Sequence, residues 1–162
     1  MKLSATFLLI LIASSAFTQC KSNMDKPRPQ WPAECVNVEI ISSADHTKQA
    51  AYFFRAKSAK ARPLIVRLHQ WSSDYTKVDG IAQLCIDNDF NYIYPNFRGP
   101  NNRPEACGSP LVIKDIEDAI DYAIDHANVN INSIHIMGGS GGGLATLLCY
   151  MKINGRIKSC TA

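Results

Sequence analysis

The chain has 162 residues, of which 46% are hydrophobic and 19% are charged. This balance is that of a globular domain with a core, and it argues against an intrinsically disordered chain. The net charge is only +3, and no basic stripe with interleaved aromatic residues is present, so the sequence argues against nucleic acid as a partner.

The first twenty residues have the layout of a secretory signal. Lys2 precedes an apolar run, residues 7–13, that is too short to span a bilayer, and small residues follow it. Cys20 stands where a bacterial lipoprotein signal ends, and residues 17–20 resemble a lipobox with Gln19 in place of a small residue. Plain cleavage and lipidation of Cys20 both stay open, and a lipid there would anchor the protein without spanning the membrane. We expect an exported protein, in the periplasm, on the outer membrane as a lipoprotein, or outside the cell.

Residues 21–34 contain three prolines and little apolar material, and they predict a linker. A domain over residues 35–162 is predicted to begin with a β-hairpin. Its two strand-like stretches, residues 36–41 and 51–55, lie on either side of a polar turn.

After Pro63, apolar strand patterns alternate with helical ones. Strands are predicted at residues 64–68, 90–94 and 133–137 and from Ile157 onward, and helices at residues 77–88, from Pro110 to about Ala127, and at residues 144–152. This alternation predicts a parallel sheet that is covered on both faces.

The clearest predicted helix begins at Ser109-Pro110, which has an N-cap residue followed by proline at the first helical position. Its apolar residues recur at helical spacing and predict a buried stripe. Asp118, Asp121 and Asp125 lie on the other side and predict a solvated acidic face.

Six cysteines are present, and none is paired in a Cys-x-x-Cys motif, which argues against a zinc site or a redox motif. Lipidation of Cys20 would leave five thiols: Cys35, Cys85, Cys107, Cys149 and Cys160. Export permits disulfides, and an odd number indicates a free thiol or a partner cysteine beyond residue 162.

A G-x-S-x-G sequence, Gly138-Gly139-Ser140-Gly141-Gly142, stands between a predicted strand and a predicted helix. In a nucleophile elbow this context puts the serine on a sharp, strained turn, and the glycines avoid collisions between Cβ atoms and neighbouring elements. Ser140 is therefore the predicted nucleophile, and the Gly141 amide a predicted oxyanion donor. Phosphate-binding loops fit less well: a Walker loop needs lysine where Leu144 stands, and a dinucleotide fingerprint needs glycine or alanine at Leu144 or Thr146.

With this motif, residues 62–162 resemble the α/β-hydrolase superfamily, in its prolyl-oligopeptidase-like and carbohydrate-esterase-like branch. Supporting marks are Leu68-His69-Gln70-Trp71 after the third strand and Pro95-Asn96-Phe97-Arg98-Gly99 after the fourth. The resemblance implies an α/β fold with a doubly wound, mostly parallel sheet, an N-terminal antiparallel hairpin, and the last strands missing from this chain.

The resemblance also implies roles for particular residues. The loop after the third strand supplies the second oxyanion amide, here from Gln70 or Trp71. The order in this fold is serine, acid, histidine, so His69 is expected to orient the loop and not to act as the base. The helix after the third strand and the loop after the fourth are neighbours in this fold, so a disulfide between Cys85 and Cys107 is expected.

No histidine, aspartate or glutamate follows Ser140 in the sequence. Because serine needs an adjacent base, we expect the acid and the base beyond residue 162, in a chain of which this is the N-terminal part. The expected function is an exported serine hydrolase for carboxylic esters, such as acyl groups on polysaccharides, with no cofactor and no metal.

Two alternatives stay open. A prolyl-oligopeptidase-like peptidase would use the same triad on peptides, although that branch usually carries a propeller domain before the hydrolase domain. A surface-anchored binding module would have kept the fold and lost the triad.

Overall fold

A mixed six-stranded sheet lies at the centre of the computed structural model, which describes residues 29–153 and 155–162. The predicted signal and Cys20 lie outside the described residues. The strand order is β1-β2-β4-β3-β5-β6, with antiparallel pairs β1–β2 and β2–β4 and parallel pairs elsewhere. The strands are β1 Val36–Ile41, β2 Lys48–Phe54, β3 Arg62–Leu68, β4 Asn91–Pro95, β5 Val129–Gly138 and β6 Ser159–Thr161. The predicted hairpin and mostly parallel α/β sheet are confirmed.

Three α-helices connect the strands: α1 Ile81–Asp87, α2 Pro110–His126 and α3 Gly141–Lys152. A short 3₁₀ turn, Pro104–Ala106, precedes α2. The Ser109 Oγ accepts from the Val112 amide, which confirms the predicted N-cap of α2. In the described part of the chain, no helix has the length and apolar character needed to cross a bilayer.

Helix α1 begins later than the sequence predicts, because the residues before it form a turn. The Asp74 carboxylate accepts from both the amide and the hydroxyl of Thr76, and the Lys77 amide donates to the Asp74 carbonyl. These local bonds satisfy the backbone in a non-helical conformation, so the helix begins only at Ile81.

The sheet buries side chains on both faces. The larger apolar cluster joins the sheet to α2 and α3, and the smaller joins it to α1 through Cys35, Phe54, Ala82, Cys85, Tyr92 and Tyr94. Trp31 packs on the smaller cluster: its ring stacks on Tyr52 with centroids 4.2 Å apart, and its Nε1 donates to the Thr76 carbonyl. The packed domain therefore includes Trp31, which lies in the stretch assigned to the linker.

The expected bridge between Cys85 and Cys107 is wrong, because both thiols are free. Cys85 is 2% exposed on the inner side of α1, and its burial raises the pKa of the thiol to about 12. Cys107 follows the 3₁₀ turn at the surface, and its thiol donates to the Asn101 carbonyl at 3.3 Å. The helix turns Cys85 inward to the sheet while the loop turns Cys107 outward, so the pair does not meet.

The acidic side of α2 is only partly solvated. The Asp118 carboxylate accepts from the amide and the hydroxyl of Ser43, in the turn between β1 and β2. Asp121 pairs with Arg156, and Asp125 is exposed. The prediction of a solvated face is therefore wrong at Asp118, which attaches the hairpin to the helix.

Candidate active site at the turn between β5 and α3

Ser140 lies on a two-residue turn between the last residue of β5 and the first of α3. Its φ is 54° and its ψ is −120°, a region that costs a non-glycine residue about 1–3 kcal/mol. Its side chain makes no capping bond to α3, and the residue is exposed. The predicted sequence of strand, strained turn and helix is confirmed, and it leaves the hydroxyl open to an incoming group.

The glycines around Ser140 are required by close packing. A Cβ at Gly142 would lie 2.5 Å from the Leu68 carbonyl oxygen and 2.7 Å from that of His69. A Cβ at Gly138 would overlap the backbone of Gly142. Because these obstacles are backbone atoms, they have little room to move, and the turn is fixed tightly against the end of β3.

The first amide of α3 is placed to receive a negative charge. The Gly142 amide donates to the Gly139 carbonyl, and the Leu144 amide donates to the Ser140 carbonyl. For the Gly141 amide, no acceptor is found among the turn and loop bonds of the described residues. A free amide at a helix N-terminus, directly after the serine, is what an oxyanion donor requires.

The loop after β3 lies against this turn. A Cβ at Gly141 would overlap the indole of Trp71, so the Trp71 ring covers the α-carbon of that glycine. The structure thus brings Gln70 and Trp71, the residues expected to supply the second oxyanion amide, to the same place as Ser140 and Gly141.

His69 is buried beneath the loop and is 1% exposed. Its Nε2 lies 2.8 Å from the Asn96 carbonyl oxygen, its Nδ1 lies 3.2 Å from that of Gln70, and its ring stacks on Phe97. Burial lowers the pKa of His69, so the ring is neutral at pH 7 and holds one proton. We assign that proton to Nε2, which makes the shorter contact. The ring thus positions the loop, in agreement with its expected role.

A polar cavity of about 140 Å³ opens beside Gly139, on the α1 side of the turn. Arg67, Ser73, Lys77, Asp79 and Tyr94 contribute to its lining. The Arg67 guanidinium donates to Asp79 at 3.2 Å, so the charges at one wall are paired. Sequence reasoning missed this cavity, although a charged residue inside the apolar run of β3 was a signal for it.

The described residues supply no base to Ser140, since none of their hydrogen bonds reaches its Oγ. His126 is bonded to the Tyr122 carbonyl and stacks on that ring. His135 is bonded to Ser133 and Ser159 on the strands. Among the described residues, no group of three or more histidine, cysteine or acidic side chains is arranged to hold a metal. The site therefore contains a candidate nucleophile and candidate oxyanion amides.

No protein-family model matches this chain. A curated relative, dipeptidyl aminopeptidase BIII of Pseudoxanthomonas mexicana, is 28% identical over a stretch that covers 74% of this chain and 19% of the relative. The chain thus spans about a fifth of the length of that relative.

Solved structures with a similar fold include both peptidases and esterases. The acylaminoacyl peptidase of Pyrococcus horikoshii matches with a TM-score of 0.66 and 19% identity over 78% of this chain and 22% of that one. A thermostable esterase matches with a TM-score of 0.61 and 17% identity over 78% of this chain and 40% of that one. Esterase Est22 matches with a TM-score of 0.61 and 20% identity over 78% and 42%.

Proposed function

We propose that this chain, which has the α/β-hydrolase fold, carries the nucleophile and the oxyanion donors of a serine hydrolase that forms an acyl-enzyme on Ser140. The fold alone does not establish a reaction, because unrelated activities share it. The observation that carries the proposal is the strained, exposed Ser140 at the turn between β5 and α3, beside an amide without an acceptor in the described turns and loops.

In the proposed reaction the Ser140 Oγ attacks the carbonyl carbon of the substrate, and the carbonyl oxygen takes up the negative charge. The Gly141 amide and an amide of Gln70 or Trp71 donate to that oxygen. These donors are held by packing before the reaction, so they require little reorganisation, and the N-terminus of α3 favours the charge further. The leaving group departs to give the acyl-serine, and water then releases the acid.

The hydroxyl of Ser140 must lose its proton to become a strong nucleophile. None of the described histidines bonds to it, and no histidine or acidic residue follows it in the sequence. Among the described residues, the base and the orienting acid of the proposed reaction are therefore not identified.

We propose carboxylic esters as the substrates, with acyl groups on polysaccharides as the finer assignment. Two of the similar solved structures are esterases, which supports the first part. A peptidase is the second candidate. It is supported by the dipeptidyl aminopeptidase at 28% identity and by the higher TM-score of the acylaminoacyl peptidase.

Export remains part of the proposal and rests on residues 1–20. The intact mass of the protein purified from its own cell tests it. Loss of residues 1–19 with added lipid at Cys20 would indicate a lipid anchor, and loss of the signal without lipid would indicate plain cleavage. A retained N-terminus would contradict export.

The test of the function uses the protein as its own cell makes it, treated with a fluorophosphonate probe. We expect the probe on Ser140, located by peptide mass spectrometry, with no labelling of Ser140→Ala and full labelling of Ser133→Ala. The same proteins are assayed on p-nitrophenyl acetate and on a dipeptide p-nitroanilide.

Ser140-dependent cleavage of the ester alone supports the esterase, and cleavage of the anilide establishes the peptidase instead. A folded protein that is not labelled by the probe and cleaves neither substrate would overturn the proposal and favour the alternative of a binding module without catalytic activity.

A further inference from the structure

A buried arginine on the loop after β4 is bonded to the hairpin and to α2. The Arg98 side chain is 6% exposed, and its Nε donates to the Asp115 carboxylate at 2.6 Å. Its Nη1 donates to Asp45 at 2.6 Å, and its Nη2 donates to the Ser42 hydroxyl at 3.0 Å. The Arg98 backbone amide donates to the Gln49 side chain at 3.0 Å. One residue of this loop is thus held by the β1–β2 turn, by β2 and by α2.

Burial of the Arg98 guanidinium carries a free-energy cost that its hydrogen-bond partners must offset. Burying a charge costs several kcal/mol unless it is paired and hydrogen-bonded, and here both carboxylates meet the fork of the guanidinium. The backbone is strained as well, since φ is +33° at Phe97 and +80° at Arg98. The network therefore holds the turn over residues 96–100 in a conformation that it would not adopt by itself.

That turn contacts the loop after β3 at three points. The Asn96 carbonyl accepts from His69 Nε2, and the Phe97 ring stacks on the His69 ring with centroids 3.9 Å apart. The Pro100 carbonyl accepts from the Ser72 amide at 3.0 Å. Since His69 and Ser72 flank Gln70 and Trp71, the turn supports both ends of the segment that carries the candidate oxyanion amides.

We propose that Arg98 is a positioning residue: paired with Asp115 and Asp45, it fixes the turn over residues 96–100 and through it the Gln70–Trp71 segment opposite Gly141. The catalytic meaning of this inference rests on the proposed function. The chain of contacts from Arg98 to Ser72 does not depend on that function. The positioning role and the proposed function can therefore fail separately.

The test is backbone amide hydrogen exchange, read at the Ser72 amide, in the protein as its own cell makes it. Arg98→Lys loses the planar guanidinium and its several donors but keeps the positive charge. The two carboxylates are therefore not left without a cation. We expect exchange at Ser72 to rise about tenfold or more, while exchange at Ile136 in the centre of β5 stays unchanged. Arg62→Lys is the matched control, because Arg62 bonds to the Asn88 and Asp89 carbonyls at the opposite end of β3.

Unchanged exchange at Ser72, or an equal rise at Ser72 and Ile136, would overturn the positioning role, since the second result is a general loss of stability. In the active enzyme, Arg98→Lys should lower kcat while KM stays nearly constant, because oxyanion donors act in the transition state. An unlabelled Ser140 with a Ser72 amide that responds as expected would overturn the proposed function and leave the positioning role standing.

Discussion

The φ angle of 54° at Ser140 is maintained by its neighbours, and they differ in how firmly they do so. At Gly142 the obstacles to a side chain are the backbone carbonyls of Leu68, the last residue of β3, and of His69, which follows it, and backbone atoms have little room to move. At Gly141 the obstacle is the Trp71 ring, which is 49% exposed and has room to rotate. At Gly139 nothing lies within 4 Å of a Cβ. The fixed part of the turn is thus its contact with β3.

Gly142→Ala should therefore destabilise the protein far more than Gly139→Ala. Forcing a methyl group against fixed backbone costs about 1–3 kcal/mol or more, which in a chain of this size lowers Tm by roughly 3–10 °C. Gly139→Ala has open space and should stay within about 0.5 kcal/mol of the parent. Thermal unfolding of the three proteins measures this difference, and equal Tm values for the two variants would show that the turn is not packed as described.

At the scale of elements, the β1–β2 turn is attached to α2 by side chains that are distant in sequence. Ser42 donates to Asp115 at 2.6 Å, and Ser43 donates to Asp118 at 2.8 Å. With Arg98 between Asp45 and Asp115, the hairpin, the loop after β4 and α2 form one connected unit. Removal of one charged side chain from this unit should therefore weaken the packing of all three elements.

Asp45→Asn should make the free energy of unfolding less sensitive to pH in the acidic range. The hydrogen bond from Arg98 holds the pKa of Asp45 well below its usual range. A depressed pKa stabilises the fold above the unfolded value of about 3.9, and this contribution is lost as pH falls towards the folded value. Urea midpoints at pH 7, 5 and 3 should show the variant less stable at pH 7 and 5, with the gap beginning to narrow at pH 3, below the unfolded pKa of Asp45. Asp125→Asn, at an exposed site, is the control. A gap between parent and Asp45→Asn that is the same at pH 3 as at pH 7 would contradict this origin.

The sequence predicts elements whose signals are local, and it misses contacts whose partners are distant. The Ser109-Pro110 cap, the period of α2 and the G-x-S-x-G motif are each encoded by residues close together in sequence, and the structure confirms their geometry. The pairing of Arg98 with Asp115 has no local signature, because it depends on how a loop packs on a helix. The expectation of a Cys85–Cys107 bridge rests only on two elements being neighbours in the fold. The bridge does not form because the two side chains point in different directions, which the order of elements does not specify.

At the scale of the molecule, the candidate site is divided between two parallel strands. Strands β3 and β5 are hydrogen-bonded neighbours, with Leu68 paired to Gly138, so the loops at their carboxyl ends meet. Parallel α/β sheets place ligands at this edge. On α3, Leu144, Leu147, Tyr150 and Met151 are 43–66% exposed, so the helix that begins at the site also presents apolar surface.

The 162-residue chain, produced alone, should show almost no turnover that depends on Ser140. Its Oγ has no hydrogen-bond partner among the described residues, so its proton must pass to water. Removing the base of a serine protease lowers turnover on the order of a millionfold, and the same loss is expected here. The measurement is p-nitrophenyl acetate hydrolysis, with the rate of Ser140→Ala subtracted.

Free imidazole in the buffer distinguishes a missing base from a misplaced nucleophile. Ser140 is exposed, so a small base can reach it, and the candidate oxyanion amide of Gly141 has no acceptor in the described turns and loops. We therefore expect imidazole to raise the rate of the parent chain above that of Ser140→Ala, which corrects for hydrolysis by imidazole itself. Ser140-dependent turnover near 10 per second, an ordinary enzyme rate, without imidazole would mean that these residues hold a base after all. No response to imidazole in a folded chain would instead count against Ser140 as the nucleophile.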